Sequence, residues 1–201
     1  MLSAEETQAS LIGAWRLMLG KVDGLRLLDL SADGFWNSFF AIVVAAPALI
    51  VGWVGTANQI GDPNAFAGRL GMLIRLATVD LSSWMLPLLA LALVAPRVGI
   101  GDRFVHYVVA SNWASAITAW IMLPSALIQL VLPPPNEVSD LVWLFLFALS
   151  LVLTWRMTVA VIGKGMAVGA AVFAGMLVAS FVVLYSLATV LGITVPTAAG
   201  S

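Results

Sequence analysis

The sequence predicts an all-α integral membrane protein: a bundle of five transmembrane helices preceded by an N-terminal amphipathic helix. Two observations predict this class. Of the 201 residues, 62% are apolar in type and 9% are charged, against roughly 45–50% and about 25% in soluble domains. The apolar residues also collect in five runs, each near the ~20 residues that a helix needs to cross a bilayer. A globule of this size could not bury so much apolar surface, so the bilayer is expected to be its second apolar solvent.

Composition also excludes several functions. The chain has no cysteine, which excludes disulfides, thiolate metal sites and a cysteine nucleophile. Its net charge of −1 gives no electrostatic case for a nucleic-acid partner. No GxSxG, HExxH, Walker-type or dinucleotide-binding motif occurs. We therefore expect no catalytic residue, metal or cofactor, and a protein that is not an enzyme.

Residues 1–34 form the first segment, which we expect to be cytoplasmic or interfacial. Its start, "MLSAEETQAS", is polar and acidic, and therefore unlike a cleavable signal peptide. An apolar stripe with helical spacing follows: Leu11, Trp15, Met18, Val22 and Leu25. The stripe predicts a helix that lies either in the membrane interface or on the protein's own spans. Gly20 and Gly24 could divide this helix in two, and "SADG" closes the segment.

The five apolar runs cover residues 35–57, 73–95, 104–132, 141–162 and 166–193, within a transmembrane domain of residues 35–195. The second run begins at Leu73 or Leu76. Trp36 and Trp53 lie near the two ends of the first run, about 25 Å apart along a helix, which suits anchors at the two interfaces. The linkers "NQIGDPN", "PRVGIGDR", "PPPNEVSD" and "GKG" are too short for a second domain.

The basic residues predict the orientation. Seven lysines and arginines fall on the side of the N-terminal segment, and only Arg69 and Arg75 fall on the other. The positive-inside rule then places the N-terminus inside and the C-terminus outside. The alanine-, leucine- and valine-rich, lysine-poor composition suits the inner membrane of a bacterium.

The stretch "LIRLATVDLSSWMLP", residues 73–87, contains the polar residues most worth testing. Arg75 and Asp80 lie about 140° apart around a helix, so they should not form an ion pair. Arg75 can snorkel to the outer interface, whereas the shorter Asp80 should face protein or water. Ser83, Trp84 and Pro87 share a face with Asp80. This face is either a proton or ligand site, or a carboxylate bonded to a neighbouring helix.

Pro47, Pro87 and Pro124 each fall inside a predicted span. A proline removes one backbone hydrogen bond and usually kinks the helix. In lipid the freed carbonyl must be satisfied by protein or water, so the kinks should point inward. Broken helices build substrate sites in transporters, but prolines are also generally more frequent in membrane helices.

The third span carries Ser111, Ser115 and Thr118 along one stripe, with Asn112 beside Ser111. Small polar residues on one stripe indicate close helix packing with interhelical hydrogen bonds, and pore lining is the alternative.

Charged residues near the inner interface have two interpretations. Asp102 and His106, the only histidine, lie on one helix face. They are either a proton-shuttling pair or ordinary interfacial residues. Arg156 can snorkel or reach an anionic lipid headgroup.

The fifth span contains small residues at regular spacing. Gly165 and Gly169 form a GxxxG motif, and Ala171, Gly175 and Ala179 continue small residues at four-residue spacing. This pattern predicts a helix-packing surface, either internal or between subunits.

The arrangement of a polar N-terminal segment followed by five closely spaced helices, over roughly residues 30–193, resembles the Yip1-type membrane proteins. The segment "LRLLDLSADGFWNSFFAIVVAAPALI" is also similar to the first membrane-entering segment of small bacterial membrane proteins. The DLYGP-like motif of the eukaryotic branch does not occur, so no functional residue is carried over. The resemblance implies a membrane-organising or partner-binding module.

The sequence therefore favours a non-enzymatic membrane protein that binds a membrane protein partner or a second copy of itself, or is a small subunit of a larger complex. The alternative is a small transporter or channel that uses the proline-broken helices and Asp80.

Overall fold

The computed structural model describes residues 2–60, 66–131 and 137–193. Over these ranges the chain forms α-helices, joined in places by short 3-10 turns, and no strand. The helices are α1 (Ala4–Met18), α2 (Ala32–Asn37), α3 (Ala41–Ile60), α4 (Phe66–Val94), α5 (Phe104–Val131), α6 (Glu137–Ile162) and α7 (Met166–Val190). The all-α fold predicted from the sequence is confirmed.

Five helical segments are long and apolar enough to cross a membrane: 32–59, 68–94, 101–131, 137–162 and 166–190. The first joins α2 and α3 through the 3-10 turn Ser38–Phe40. Large apolar side chains remain exposed around these segments, for example Phe145 at 67% and Leu93 at 70%. Such a surface suits hydrocarbon, because soluble monomers rarely expose large contiguous apolar patches.

The five spans pack as a ring in the order α3, α5, α6, α7, α4, with α4 returning to contact α3. α3 and α5 run parallel, since Ser38 contacts Asn112 near the start of both and Val44 contacts Trp120 further along. The connection between α4 and α5 and the connection between α6 and α7 meet at one end, where Lys164 bonds the Gly99 carbonyl. We call this the α1 end of the bundle.

Helix α1 packs on the bundle itself, across α5 and α6. Ala14, Leu17 and Met18 are fully buried there, as expected for a helix that lies on the protein's own spans. The predicted apolar stripe is partly wrong, because Trp15 is 42% and Val22 57% exposed. Gly13 and Ala14 are small and let α1 pack closely against the rest of the protein. The buried stripe of α1 therefore runs along these two residues instead.

The N-terminal segment divides at Gly20, as predicted, but not at Gly24, which lies inside the second piece. α1 ends before Gly20, which has φ +76°, and Val22–Leu27 forms a separate 3-10 helix. Gly13 and Gly24 allow the two pieces to touch, because a Cβ at Gly13 would lie 2.9 Å from the Gly24 carbonyl oxygen.

Several helix ends differ from the apolar runs. α4 begins at Phe66, seven residues before the predicted start, and α6 begins at Glu137 instead of 141. The first turn of α6 contains Glu137 and Asp140, which an N-terminal helix dipole favours although they are not apolar. α7 ends at Val190 because Gly192, at φ +65°, closes a Schellman motif. The predicted end of the third run, at 132, lies outside the described residues.

Candidate functional site

A chain of buried hydrogen bonds ties three spans together. The indole N–H of Trp84 on α4 donates to the Asn112 Oδ1 on α5 at 3.0 Å, and Asn112 Nδ2 donates to Ser38 Oγ at 2.9 Å. The Ser38 hydroxyl in turn donates to the Phe35 carbonyl at 2.7 Å. Asn112 is fully buried and Ser38 is 1% exposed. This chain gives the carboxamide of Asn112 a partner at both ends.

Trp84 and Asn112 were both singled out from the sequence, and the structure joins them. Ser38 was not singled out, because a lone serine at the start of an apolar run has no distinguishing pattern. Only the parallel packing of α3 on α5 brings Ser38 to Asn112.

Asp80 has a different partner from the other polar residues of α4. Its Oδ2 accepts a hydrogen bond of 3.0 Å from the indole N–H of Trp53 on α3. Asp80 itself keeps an exposed surface on α4. Trp53, expected to be an interfacial anchor, therefore also serves as a hydrogen-bond donor.

Arg75 forms no salt bridge with Asp80, as the helix geometry predicted. Although α4 begins nine residues earlier, the Arg75 guanidinium reaches the end of α7, where a Cβ at Gly192 would lie 3.9 Å from it. The basic group thus lies near the carbonyl end of α7, where a helix favours positive charge.

The three prolines lie inside α3, α4 and α5, as predicted. Pro87 is buried, but Pro47 and Pro124 are exposed on the bundle surface. The prediction that all three point inward is therefore wrong for Pro47 and Pro124, since an apolar ring without an N–H can face lipid. Pro47 removes the N–H that the Val43 carbonyl would accept, and the adjacent Val44 carbonyl accepts a hydrogen bond of 2.9 Å from the Trp120 indole N–H.

Ser83 is the unsatisfied polar residue of α4. Pro87, four residues later, cannot donate the backbone hydrogen bond that the Ser83 carbonyl would accept. The Ser83 hydroxyl is buried and has no hydrogen-bond partner among the described residues.

The hydroxyls of α5 bond within their own helix. Ser111 donates to the Val108 carbonyl at 3.1 Å and Thr118 to the Ala114 carbonyl at 2.9 Å. Ser111 is buried and Ser115 half-buried, which suits close packing of α5 against its neighbours.

Asp102 and His106 do not act as a pair. Asp102 accepts a hydrogen bond of 2.6 Å from Lys164 and lies 3.6 Å from Arg103. His106 Nδ1 is buried with no hydrogen-bond partner among the described residues. Asp102 therefore joins the two connections at the α1 end, a role that sequence spacing could not indicate.

Arg156 bonds the end of α1. Its guanidinium donates to the Leu19 carbonyl at 2.6 Å. Gly20 leaves space for it, because a Cβ there would lie 3.0 Å from the same nitrogen. A cation at a helix C-terminus satisfies orphan carbonyls and is favoured by the dipole.

The small residues predicted to form one packing surface on α7 lie in different surroundings. Gly169 is internal, since a Cβ there would lie 2.7 Å from the Val159 Cα of α6. Gly165 precedes the helix at φ +94° and is not a packing residue. Ala171 and Gly175 point away from the bundle, and a Cβ at Gly175 would contact nothing within 4 Å; Ala179 is half-buried.

The described residues also form cavities, two of which lie close to these contacts. One, of about 210 Å³, lies between α3 and α4 and is lined by residues including Val54, Arg69 and Leu73. The other, of about 120 Å³, lies beneath α1 and has a polar lining that includes Glu6 and Asp29.

The two carboxyls beside the cavity beneath α1 are both held by local hydrogen bonds. The Ser3 backbone N–H donates to Glu6 at 2.7 Å and, with the Ser3 hydroxyl, lowers the pKa of Glu6. The Ser31 hydroxyl and backbone N–H lower the pKa of Asp29, whose Oδ1 accepts the N–H bond at 2.9 Å. Both carboxylates are therefore ionised at neutral pH.

The fold and its apolar surface define a polytopic, all-helical integral membrane protein. No protein-family model, no curated protein and no solved structure matches the chain. Among the described residues, no three His, Asp or Glu side chains come together as a metal site.

Proposed function

We propose that this protein is a non-enzymatic partner-binding module of the membrane, which associates through the outward face of α7 with a second copy or with another membrane protein. The observation that carries the proposal is the surface of α7. Ala171, Gly175 and Val178 lie on one face and are all exposed, and Gly175 has no neighbour that a Cβ would meet.

The chemistry of helix association in lipid supports this assignment. Lipid tails are as apolar as leucine, so spans associate through close packing, which small residues permit. The same helix already uses this device internally, where Gly169 lies against Val159. On the outward face the four-residue spacing of Ala171 and Gly175 leaves an equivalent flat surface.

The use of the polar residues also favours this role. Trp84, Asn112 and Ser38 are engaged with one another, and Asp80 is engaged with Trp53. Side chains that link spans hold the bundle in one arrangement, as an interaction module requires. The five-span topology resembles that of Yip1-type proteins, which supports the same role, and the basic residues favour an N-terminus inside a bacterial inner membrane.

Photocrosslinking tests the proposal. A photoreactive amino acid replaces Val178, which is 61% exposed, or Val43 on α3, which is 57% exposed, in full-length protein in its own membrane. We expect protein adducts from position 178 and lipid adducts alone from position 43. Equal yields of protein adducts at the two positions, or none at position 178, would contradict the proposal.

Glycine variants provide the matched test. Gly175→Leu should reduce the adducts from position 178, because the added side chain separates the two surfaces. Gly52→Leu is the control, since Gly52 of α3 also has no neighbour within 4 Å of a Cβ. It should leave those adducts unchanged.

A small transporter or channel is the second candidate function. Asp80 favours it, because this carboxylate keeps an exposed surface within α4 and has one indole as its partner. Ionisable residues inside a membrane commonly mark an ion or substrate pathway. Purified protein in vesicles would then show a pH-dependent ion flux that Asp80→Asn abolishes. If wild-type protein gives no flux above that of empty vesicles, and Asp80→Asn gives none either, this candidate is eliminated.

A further inference from the structure

α1 has a second apolar face, which is exposed. Ile12 is 45% and Trp15 42% exposed, and the half-buried Leu19 directly follows the helix. These three positions have the i, i+3, i+7 spacing of one helix face. The face is separate from the buried one that contains Ala14 and Leu17, and the proposed association through α7 does not use it.

α1 lies across the sides of α5 and α6 rather than beyond their ends. Ser10 lines a cavity together with Trp113 of α5, and the Leu19 carbonyl accepts the hydrogen bond from Arg156 of α6. Trp113 is nine residues from the first residue of α5, and Arg156 is six residues from the last residue of α6. At about 1.5 Å per residue, α1 is therefore level with points about 9–14 Å from the ends of the two helices.

The length of α5 relates this level to the bilayer. α5 has 28 residues and is about 42 Å long, whereas the hydrocarbon core is about 30 Å thick, so about 12 Å of α5 extends beyond it. Leu127 and Val131, near the other end of α5, are large exposed apolar residues, which keeps that end in hydrocarbon. The extra length is therefore at the α1 end, and α1 lies at the boundary between hydrocarbon and headgroups, where amphipathic interfacial helices bind.

The 3-10 helix Val22–Leu27 covers one side of α1. A Cβ at Gly13 of α1 would lie 2.9 Å from the Gly24 carbonyl oxygen, and the charged residues of this 3-10 helix are exposed. Trp15 is two residues from Gly13, about 200° around the helix, and therefore lies on the opposite side of α1. Charged groups on one side and an apolar face on the other match the change from water to lipid across an interface.

The indole of Trp15 suits this boundary. Tryptophan combines an apolar ring with one N–H donor and is enriched at both membrane–water interfaces. The Trp15 N–H forms no hydrogen bond with any residue that the structure describes, whereas the indoles of Trp53, Trp84 and Trp120 each donate to another span. The Trp15 donor is therefore available to the phosphate or ester oxygens of lipids.

We propose that the exposed face of α1 inserts into the leaflet on the α1 side of the bundle and binds phospholipids at the boundary between headgroups and hydrocarbon. Ile12 and Leu19 contact the first acyl methylene groups, and the Trp15 indole N–H donates to a phosphate or ester oxygen. α1 is then held by the spans on one face and by lipid on the other.

Spin labels test this assignment, because the chain has no cysteine and single cysteines can be labelled cleanly. Ile12→Cys and Trp15→Cys report on the face, in full-length protein in vesicles of phosphatidylethanolamine and phosphatidylglycerol. Val43→Cys on α3 is the lipid reference and Val98→Cys, in the connection after α4, is the water reference; both valines are 57% exposed. We expect electron paramagnetic resonance to show stronger relaxation by oxygen than by a water-soluble nickel chelate at 12, 15 and 43, and the reverse at 98.

Stronger relaxation by the nickel chelate at either 12 or 15 would place the face in water and overturn the proposal. Weak relaxation by both reagents would also overturn it, because the face would then be covered by protein. A photoreactive amino acid in place of Trp15 is the independent check, for which we expect lipid adducts. Protein adducts alone at that position would assign the face to a protein partner instead.

Discussion

Replacing Asn112 with leucine tests whether the hydrogen-bond chain stabilises the bundle. Leucine has the same branched shape as asparagine but is larger, so both carboxamide contacts are lost and volume is added at a buried site. The Trp84 indole N–H then loses its acceptor, and Ser38 Oγ loses the donor that lies 2.9 Å away.

The magnitude follows from the two contacts. Interhelical hydrogen bonds in membranes contribute about 0.6 kcal/mol on average and at most about 1.7 kcal/mol each. Two of them therefore contribute about 1–3 kcal/mol. Because Asn112 is fully buried, no water replaces them, and an orphaned buried donor costs about 1–3 kcal/mol. We expect Asn112→Leu to lower the free energy of unfolding by about 2–3 kcal/mol.

The assay is reversible unfolding in lipid bicelles, with Ser125→Ala as the control. Ser125 is also buried on α5, but its hydroxyl bonds the Met122 carbonyl of its own helix, so its loss should cost less than about 1 kcal/mol. Trp84→Phe combined with Asn112→Leu should be less destabilising than the sum of the two single changes, by about 0.6–1.7 kcal/mol. A strictly additive cycle, or an Asn112→Leu protein within about 0.5 kcal/mol of wild type, would refute the reasoning.

Three further predictions concern the ends of the bundle and α7. Arg156→Leu should loosen α1 and raise amide exchange over its last turn, whereas Arg16→Leu, which removes only an exposed ion pair, should leave that exchange unchanged. Gly169→Ala should destabilise the protein by about 1–3 kcal/mol in the same unfolding assay because its Cβ would overlap α6, whereas Gly175→Ala should not; equal effects would contradict the two orientations. The pKa of Glu6 is lowered in the folded state, so its contribution is present above its unfolded pKa and is lost as pH falls through the folded value. Exchange protection in the first turn of α1 should accordingly decline below about pH 4, and Glu6→Gln should remove that decline.

The spans could be predicted from the sequence because the bilayer imposes one requirement, an apolar length, that the composition meets directly. Helix ends were less predictable. α4 starts at Phe66 and includes Arg69, because a helix can continue beyond the apolar run once its residues leave the hydrocarbon.

The polar residues could be predicted from the sequence, but their hydrogen-bond partners could not. Asp80, Trp84 and Asn112 stand out in an apolar background, but their partners depend on the ring order of the helices, which apolar patterns do not encode. Trp53 was therefore expected only to be an interfacial anchor, and Ser38 had no distinguishing pattern. The same holds for Gly169 and Gly175: both are small residues of one helix, but Gly169 faces α6, whereas a Cβ at Gly175 would contact nothing within 4 Å.

The bond between Arg156 and the end of α1 constrains the order in which the protein is built. Leu19 and Arg156 are 137 residues apart, which at about 5–20 residues per second corresponds to roughly 7–27 s of translation. During that interval Leu17 and Met18, fully buried in the finished protein, have no α6 to pack against. α1 therefore cannot complete its packing until α6 has been synthesised, and a chain that ended before α6 would expose the apolar face of α1.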